Sequence, residues 1–155
     1  MNFEHLVVVN DPADPLLTDL TREELWFGLL CRAEDPRPFL PGLESCTILE
    51  RSDTALVRVL QFGSAVIRDR VTLCAMESVC FESERTESHA GGSLTIFIEE
   101  PAEAELVLRF RYQTTLPEQG GDDGGYAEYV KSAYHQSDID TVRVIRMIAE
   151  SGRVQ

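Results

Sequence analysis

The sequence predicts an α+β fold: a seven-stranded, curved antiparallel sheet wrapped on a long C-terminal helix, with a short helical segment after the first strand. Three observations carry this. The apolar period is helical near residues 21–33, drops to two from Leu43 to about Leu116, and becomes helical again from Tyr126. The breaks inside the period-two stretch are short, which implies hairpins and antiparallel neighbours. The chain has 155 residues, 43% of them apolar, enough for one sizeable core and too little for two. It shows no internal repeat and no long linker, so residues 1–155 are expected to form a single domain.

Each element has its own signal. Phe3 to Val9 is valine-rich and reads as a strand, ended by Asp11-Pro12 and Asp14-Pro15. Thr21 and Glu24 have capping-box spacing, Leu20 and Leu25 that of a hydrophobic staple. Leu25, Trp26, Leu29, Leu30 and Ala33 then share a helical stripe, stopped by Pro36, Pro38 and Pro41-Gly42, with Phe39-Leu40 as an apolar plug. Six strands follow, near 43–51, 54–62, 65–74, 79–86, 93–99 and 104–115. The run Gly120 to Gly125, interleaved with aspartates, would repel phosphate and reads as a flexible loop. Tyr126 to about Ser151 reads as one helix with Gly152 as its stop, and the polar run His135 to Asp138 as a candidate kink.

Charge and composition exclude several classes. The net charge of −13 argues against nucleic acid or an anionic membrane as the main partner. No stretch reaches the roughly 18 apolar residues of a membrane span, and the start carries no signal-peptide pattern. Cys31, Cys46, Cys74 and Cys80 lack CxxC spacing and read as four buried, reduced thiols of a cytoplasmic protein. His5, His89 and His135 are scattered, without metal-ligand spacing, and read as surface or satisfied histidines. There is no phosphate loop, dinucleotide fingerprint or nucleophile elbow. No cofactor, metal or catalytic residue is expected.

Hairpin registers suggest what faces the interior. A two-residue loop at Gly63-Ser64 pairs Phe62 with Ala65, Leu60 with Ile67, Arg58 with Asp69, and Leu56 with Val71. A two-residue loop at Ser52-Asp53 places Leu49 opposite Leu56 and Thr47 opposite Arg58. A three-residue loop at Met76 to Ser78 places Phe81 opposite Leu73 and Arg85 opposite Asp69. Leu106, Leu108, Phe110 and Tyr112 share a face of the last strand, beside Leu94, Ile96 and Ile98. In the Gly63-Ser64 hairpin this face is apolar apart from Arg58 and Asp69. The alternative face would bury Arg68 and Arg70 with no obvious partners, which is costlier. It leaves Cys46, Ile48, Val57, Val59 and Val66 outward, an apolar cluster that a homodimer contact would cover. On the C-terminal helix, Tyr126, Val130, Tyr134, Ser137, Thr141, Val144, Ile145 and Ile148 form one stripe. Its small hydroxylated middle leaves room for a cavity, although back-bonding of Ser and Thr to the preceding turn explains it equally.

Four segments, Met1 to Leu6, Pro41 to Arg51, Val66 to Val71 and Asp138 to Val142, resemble the AtaL-like family of bacteria and fungi. That family lies within the START and pollen-allergen-like superfamily, also termed SRPBCC or helix-grip. The resemblance covers nearly the whole chain and implies the helix-grip fold. It implies function only loosely, because the superfamily includes lipid carriers, plant hormone binders and polyketide aromatases and cyclases. The favoured expectation is uptake of a small hydrophobic or amphipathic molecule without catalysis. Its contacts would be Trp26, Leu30, Phe39, Phe81, Phe110, Tyr112 and Tyr134, with Arg58, Asp69 and Thr141 orienting its polar end. The alternative is an aromatase/cyclase-like enzyme in the same cavity, with Asp69 as base. A guanidinium beside a carboxylate weakens it as a base, which argues against this alternative.

Overall fold

The computed structural model describes residues 1–86, 91–115 and 125–154. His89 and the run 120–124 of the glycine-aspartate loop lie outside the described residues. The elements are β1 (Asn2–Asn10), α1 (Arg22–Glu34), β2 (Ser45–Arg51), β3 (Ala55–Phe62), β4 (Ala65–Cys74), β5 (Ser78–Ser83), β6 (Gly92–Glu99), β7 (Leu106–Thr114) and α2 (Gly125–Val154). All strands belong to one curved antiparallel sheet in the order β1-β7-β6-β5-β4-β3-β2. The meander β2 to β7 therefore ends beside β1, and α1 carries the chain from one sheet edge to the other. Among the described residues, no helix is long and apolar enough to cross a membrane.

Helix α1 begins as the sequence predicts. Thr21 Oγ1 accepts from the Glu24 amide at 3.0 Å, and the Glu24 carboxylate accepts from the Thr21 amide at 2.9 Å. Arg153, near the end of α2, also donates to Glu24, at 2.7 and 2.8 Å. These bonds, Arg153 foremost, hold the Glu24 carboxyl down to about 2. The two helices meet closely at Gly28. A Cβ placed there would lie 2.5–3.0 Å from Ile145, so only glycine permits this approach. The buried stripe of α1 is Leu25, Gly28, Leu29, Arg32 and Ala33, with Trp26 and Leu30 half-buried beside it. The loop between β1 and α1 is closed by Asn10, whose side-chain amide exchanges two hydrogen bonds with Leu20 at 2.7 and 2.9 Å. Arg146 of α2 reaches the Thr18 carbonyl at 2.7 Å and the Val9 carbonyl.

The β3–β4 register matches expectation at every pair, including Arg58 opposite Asp69. The neighbouring registers do not. Arg51 pairs with Leu56 and Ile48 with Arg58, with an irregularity at Leu49 between them. The turn lies one residue later than expected, at Asp53-Thr54: the Ser52 amide donates to the Ala55 carbonyl at 2.8 Å, and Ser52 Oγ accepts from the Thr54 and Ala55 amides at 3.3 and 3.1 Å. The extra residue at Leu49 then flips the rest of the strand to the other face. Cys46 and Ile48 therefore face inward and Leu49 outward, so the expected outer apolar cluster keeps Val57, Val59 and Val66 and gains Leu49. On the other side, Phe81 pairs with Val71 rather than Leu73, and Asp69 faces Ser83 rather than Arg85. Here the loop is Ala75-Met76-Glu77, with Met76 at φ 66°. The shift is an even number of residues, so Phe81 keeps its inward face. Arg68 and Arg70 are exposed, as the preferred face assignment requires.

Helix α2 is continuous from Gly125 to Val154, through both the His135–Asp138 run and Gly152. Gly152 does not end it; its Cβ position meets open space and nothing there imposes a stop. The buried stripe is Ala127, Asp138, Thr141, Val142, Ile145 and Ala149, while Tyr126 is exposed. The cysteines are free, but they are not all buried: Cys31, Cys46 and Cys80 are half-buried and Cys74 is exposed. Burial pushes the Cys31 and Cys46 thiols up, and a hydrogen bond to Glu77 does the same for Cys74, so none of these three is activated as a nucleophile.

Candidate functional site

A cavity of about 220 Å³ lies between β3–β7, the end of α1 and the middle of α2. Leu40, Leu60, Phe62, Ile67 and Leu94 give it apolar walls, and α2 contributes only Tyr134 and Ser137. Of the two small hydroxylated positions in the middle of the helix, Ser137 borders this space and Thr141 does not. Of the residues expected at a site, Arg58, Asp69, Phe81, Tyr112 and Tyr134 line the cavity. Trp26, Leu30, Phe39, Phe110 and Thr141 fall outside its lining. Phe39 and Phe110 are spent on the solid part of the core, and α1 is turned so that Arg32 reaches the cavity in place of Trp26 and Leu30. Thr141 is fully buried, and its hydroxyl has no hydrogen-bond partner among the described residues.

Arg58 is 1% exposed and its donors are largely committed. Nε and Nη2 grip the two Asp69 oxygens at 2.8 and 2.5 Å. Nη1 donates to the carbonyls of Ala33 at 2.9 Å and Arg32 at 3.3 Å. Those carbonyls belong to the last turn of α1, where helical partners run out and the dipole favours a cation. The pair therefore fastens the helix end to the sheet.

A second polar cluster was not foreseen. Asp138, completely buried on α2, accepts from the Tyr112 hydroxyl at 2.7 Å and is paired with His5 Nε2 of β1. The His5 ring stands 4.7 Å from that of His135, and Tyr112 stacks against Phe3 at 4.9 Å and lies 4.5 Å from Tyr134. Burial pushes the Asp138 carboxyl up, opposed by the Tyr112 and His5 hydrogen bonds and by the charges of His5 and Arg32. Burial also pushes the Tyr112 phenol far up, helped by Asp138. His5 and His135 are thus not isolated. His5 and Asp138 are separated by 133 positions, a distance at which spacing carries no signal.

The third member is Arg32, 7% exposed, with its guanidinium carbon 4.7 Å above the Phe81 ring. Arg58 sits over the same ring at 5.2 Å. Arg32 Nε is buried and has no hydrogen-bond partner among the described residues. A sequence signal existed, since Arg32 continues the Leu25, Gly28, Leu29 stripe. An arginine on an apolar stripe is ordinarily read as snorkelling to solvent.

Comparisons agree with this architecture. The sheet and helices define the helix-grip class of the SRPBCC superfamily. Within it, residues 7–152 match the family AtaL, described as acetylaranotin biosynthesis cluster protein L, and the chain belongs to that family. Among solved structures, the chain is similar to the Zhui aromatase/cyclase from Streptomyces sp. R1128, at 18% identity and TM-score 0.61, covering 100% of this chain and 96% of that one. It is similar to the di-domain ARO/CYC StfQ from the steffimycin biosynthetic pathway, at 12% identity and TM-score 0.71, covering 99% of this chain and 52% of StfQ. It also resembles Ara h 8.0201, at 10% identity and TM-score 0.60, covering 95% of this chain and 98% of that one. At these identities the likeness is one of fold. No curated protein matches the sequence.

Proposed function

We propose that this protein holds a compact hydrophobic or amphipathic molecule in the cavity between the sheet and α2, without transforming it. The carrying observation is a cavity with apolar walls beneath the small Ser137 of α2. Its volume of about 220 Å³ falls below the ~300–1,000 Å³ of drug-sized sites, so the ligand would be small. Phe81, Tyr112 and Tyr134 would provide aromatic contacts, and Arg58 with Asp69 a polar wall. Native mass spectrometry of protein purified from its source should show a co-purified small molecule. In a thermal-shift screen, a ligand at 100 times its dissociation constant should add about 2.7 kcal/mol of stability. Ser137→Leu should abolish that shift while leaving the circular dichroism unchanged. Retained binding in this filled variant would sink the proposal.

A second reading, an aromatase/cyclase-like enzyme in the same cavity, is favoured by one observation. Tyr112 lines the cavity and is hydrogen-bonded to Asp138, whose carboxyl burial pushes up, with His5 beyond it. Such a chain could move a proton to or from a bound ketone. A β-diketone probe distinguishes the two readings. A binder returns it unchanged by mass spectrometry, whereas an enzyme converts it and loses that conversion in Tyr112→Phe.

A further inference from the structure

We infer that Arg32 is the receptor for a carboxylate on the cavity ligand, so that the guest is an apolar carboxylic acid bound as its anion. This rests on the cavity being a ligand site, and it adds the chemical class of the guest.

Arg32 lies in the last turn of α1 and lines the cavity at 7% exposure. Phe81 covers one face of its guanidinium. Its Nε–H has no acceptor among the described residues, and no ion pair between described residues includes Arg32. The two buried carboxylates among the described residues are already engaged: Asp69 grips Arg58 through both oxygens, and Asp138 is held by Tyr112 and His5. Arg58 also faces the cavity, but its donors go to Asp69 and to the carbonyls of Ala33 and Arg32. Of the two cavity arginines, only Arg32 has a fork free for a guest.

A buried guanidinium without an anion is unfavourable, since it loses hydration and gains no partner. Arginine cannot escape by losing its proton in a protein. Packing alone would be served as well by leucine or methionine. The planar fork matches a carboxylate through two parallel N–H···O bonds, strengthened where water is excluded. The remaining walls, Leu40, Leu60, Phe62, Ile67 and Leu94, demand an apolar body. Cation and greasy walls together select an apolar acid over a neutral hydrocarbon or an inorganic anion.

The test uses a matched pair, 2-naphthoate and 2-naphthamide, which share a body and differ in charge. Binding is measured by calorimetry at pH 7.5 and fixed ionic strength. The wild type should prefer the carboxylate by about tenfold or more. Arg32→Met should bring the ratio near one while still binding the amide. Arg32→Lys keeps the charge without the fork and should show an intermediate ratio; it carries the test if the methionine variant does not fold. Equal binding of both probes by the wild type overturns the inference and leaves the cavity reading intact. A preference that survives in Arg32→Met also overturns it. If neither probe binds and none stabilises the protein, the cavity reading fails and the inference with it.

Discussion

The two buried arginines of the cavity wall, Arg58 and Arg32, stack on the same phenylalanine and play opposite parts. Arg58 is saturated. Its carboxylate lies directly across the hairpin and its remaining donors close the end of α1. Arg32 sits in the same greasy surroundings with an orphaned Nε and no carboxylate of its own. A buried charge with all its partners supplied by the fold belongs to the fold. One left without a hydrogen-bonded counter-ion carries a cost that a guest anion would offset.

Substitution should separate the two, and the largest effect is expected at the saturated residue. Arg58→Met strands Asp69 and two helix carbonyls, and urea denaturation should show a loss of about 3–5 kcal/mol. The double variant Arg58→Met/Asp69→Leu should recover most of it. A single-variant loss below about 1 kcal/mol would break the view of Arg58 as a structural clamp. Next comes the helix contact that positions Arg32. Gly28→Ala drives a methyl into Ile145 and should cost about 1–3 kcal/mol in the same measurement.

A smaller, pH-dependent effect is expected at Asp138. Burial raises its carboxyl in the folded protein, while in the unfolded chain it titrates near ~3.9. Its contribution is therefore full below that pH and is lost as the pH rises through the folded value. Asp138→Asn cannot ionise. The stability of wild type relative to this variant should thus decline above about pH 4, as read from denaturation at a series of pH values. A difference that stays flat or rises would mean that the Tyr112 and His5 bonds outweigh burial. The smallest change is expected at Arg32. Arg32→Met removes an unpartnered cation and should leave the empty protein within about 1 kcal/mol of wild type, or more stable. A loss as large as that of Arg58→Met would erase the contrast between the two arginines.

How much could be read in advance followed the range of the interactions. The capping box at Thr21 and Glu24 is local and was legible. The β3–β4 hairpin was legible because a two-residue turn leaves one register. The β2 face was not, since a single extra residue at Leu49 reverses it. The β5 register slipped because Met76 takes a left-handed conformation that its side chain does not announce. At the site, Arg58 and Asp69 were visible as cross-strand partners, and the small Ser137 as a gap in the α2 stripe. Arg32 was overlooked because what marks it is a missing partner, and a missing partner appears only when every neighbour has been placed.

Periodicity, turn chemistry and cross-strand pairing, all acting over a few residues, determined the helix-grip architecture, the inward face of the central hairpin and its Arg58–Asp69 pair. Tertiary packing alone decided that His5, Tyr112 and Asp138 meet behind the cavity wall, that α1 presents Arg32 rather than Trp26, and that Arg32 is left unsatisfied. The physical reason is that local patterns state which groups want to be buried. Whether a buried charge finds its counter-charge depends on how the sheet and the two helices close around the space between them.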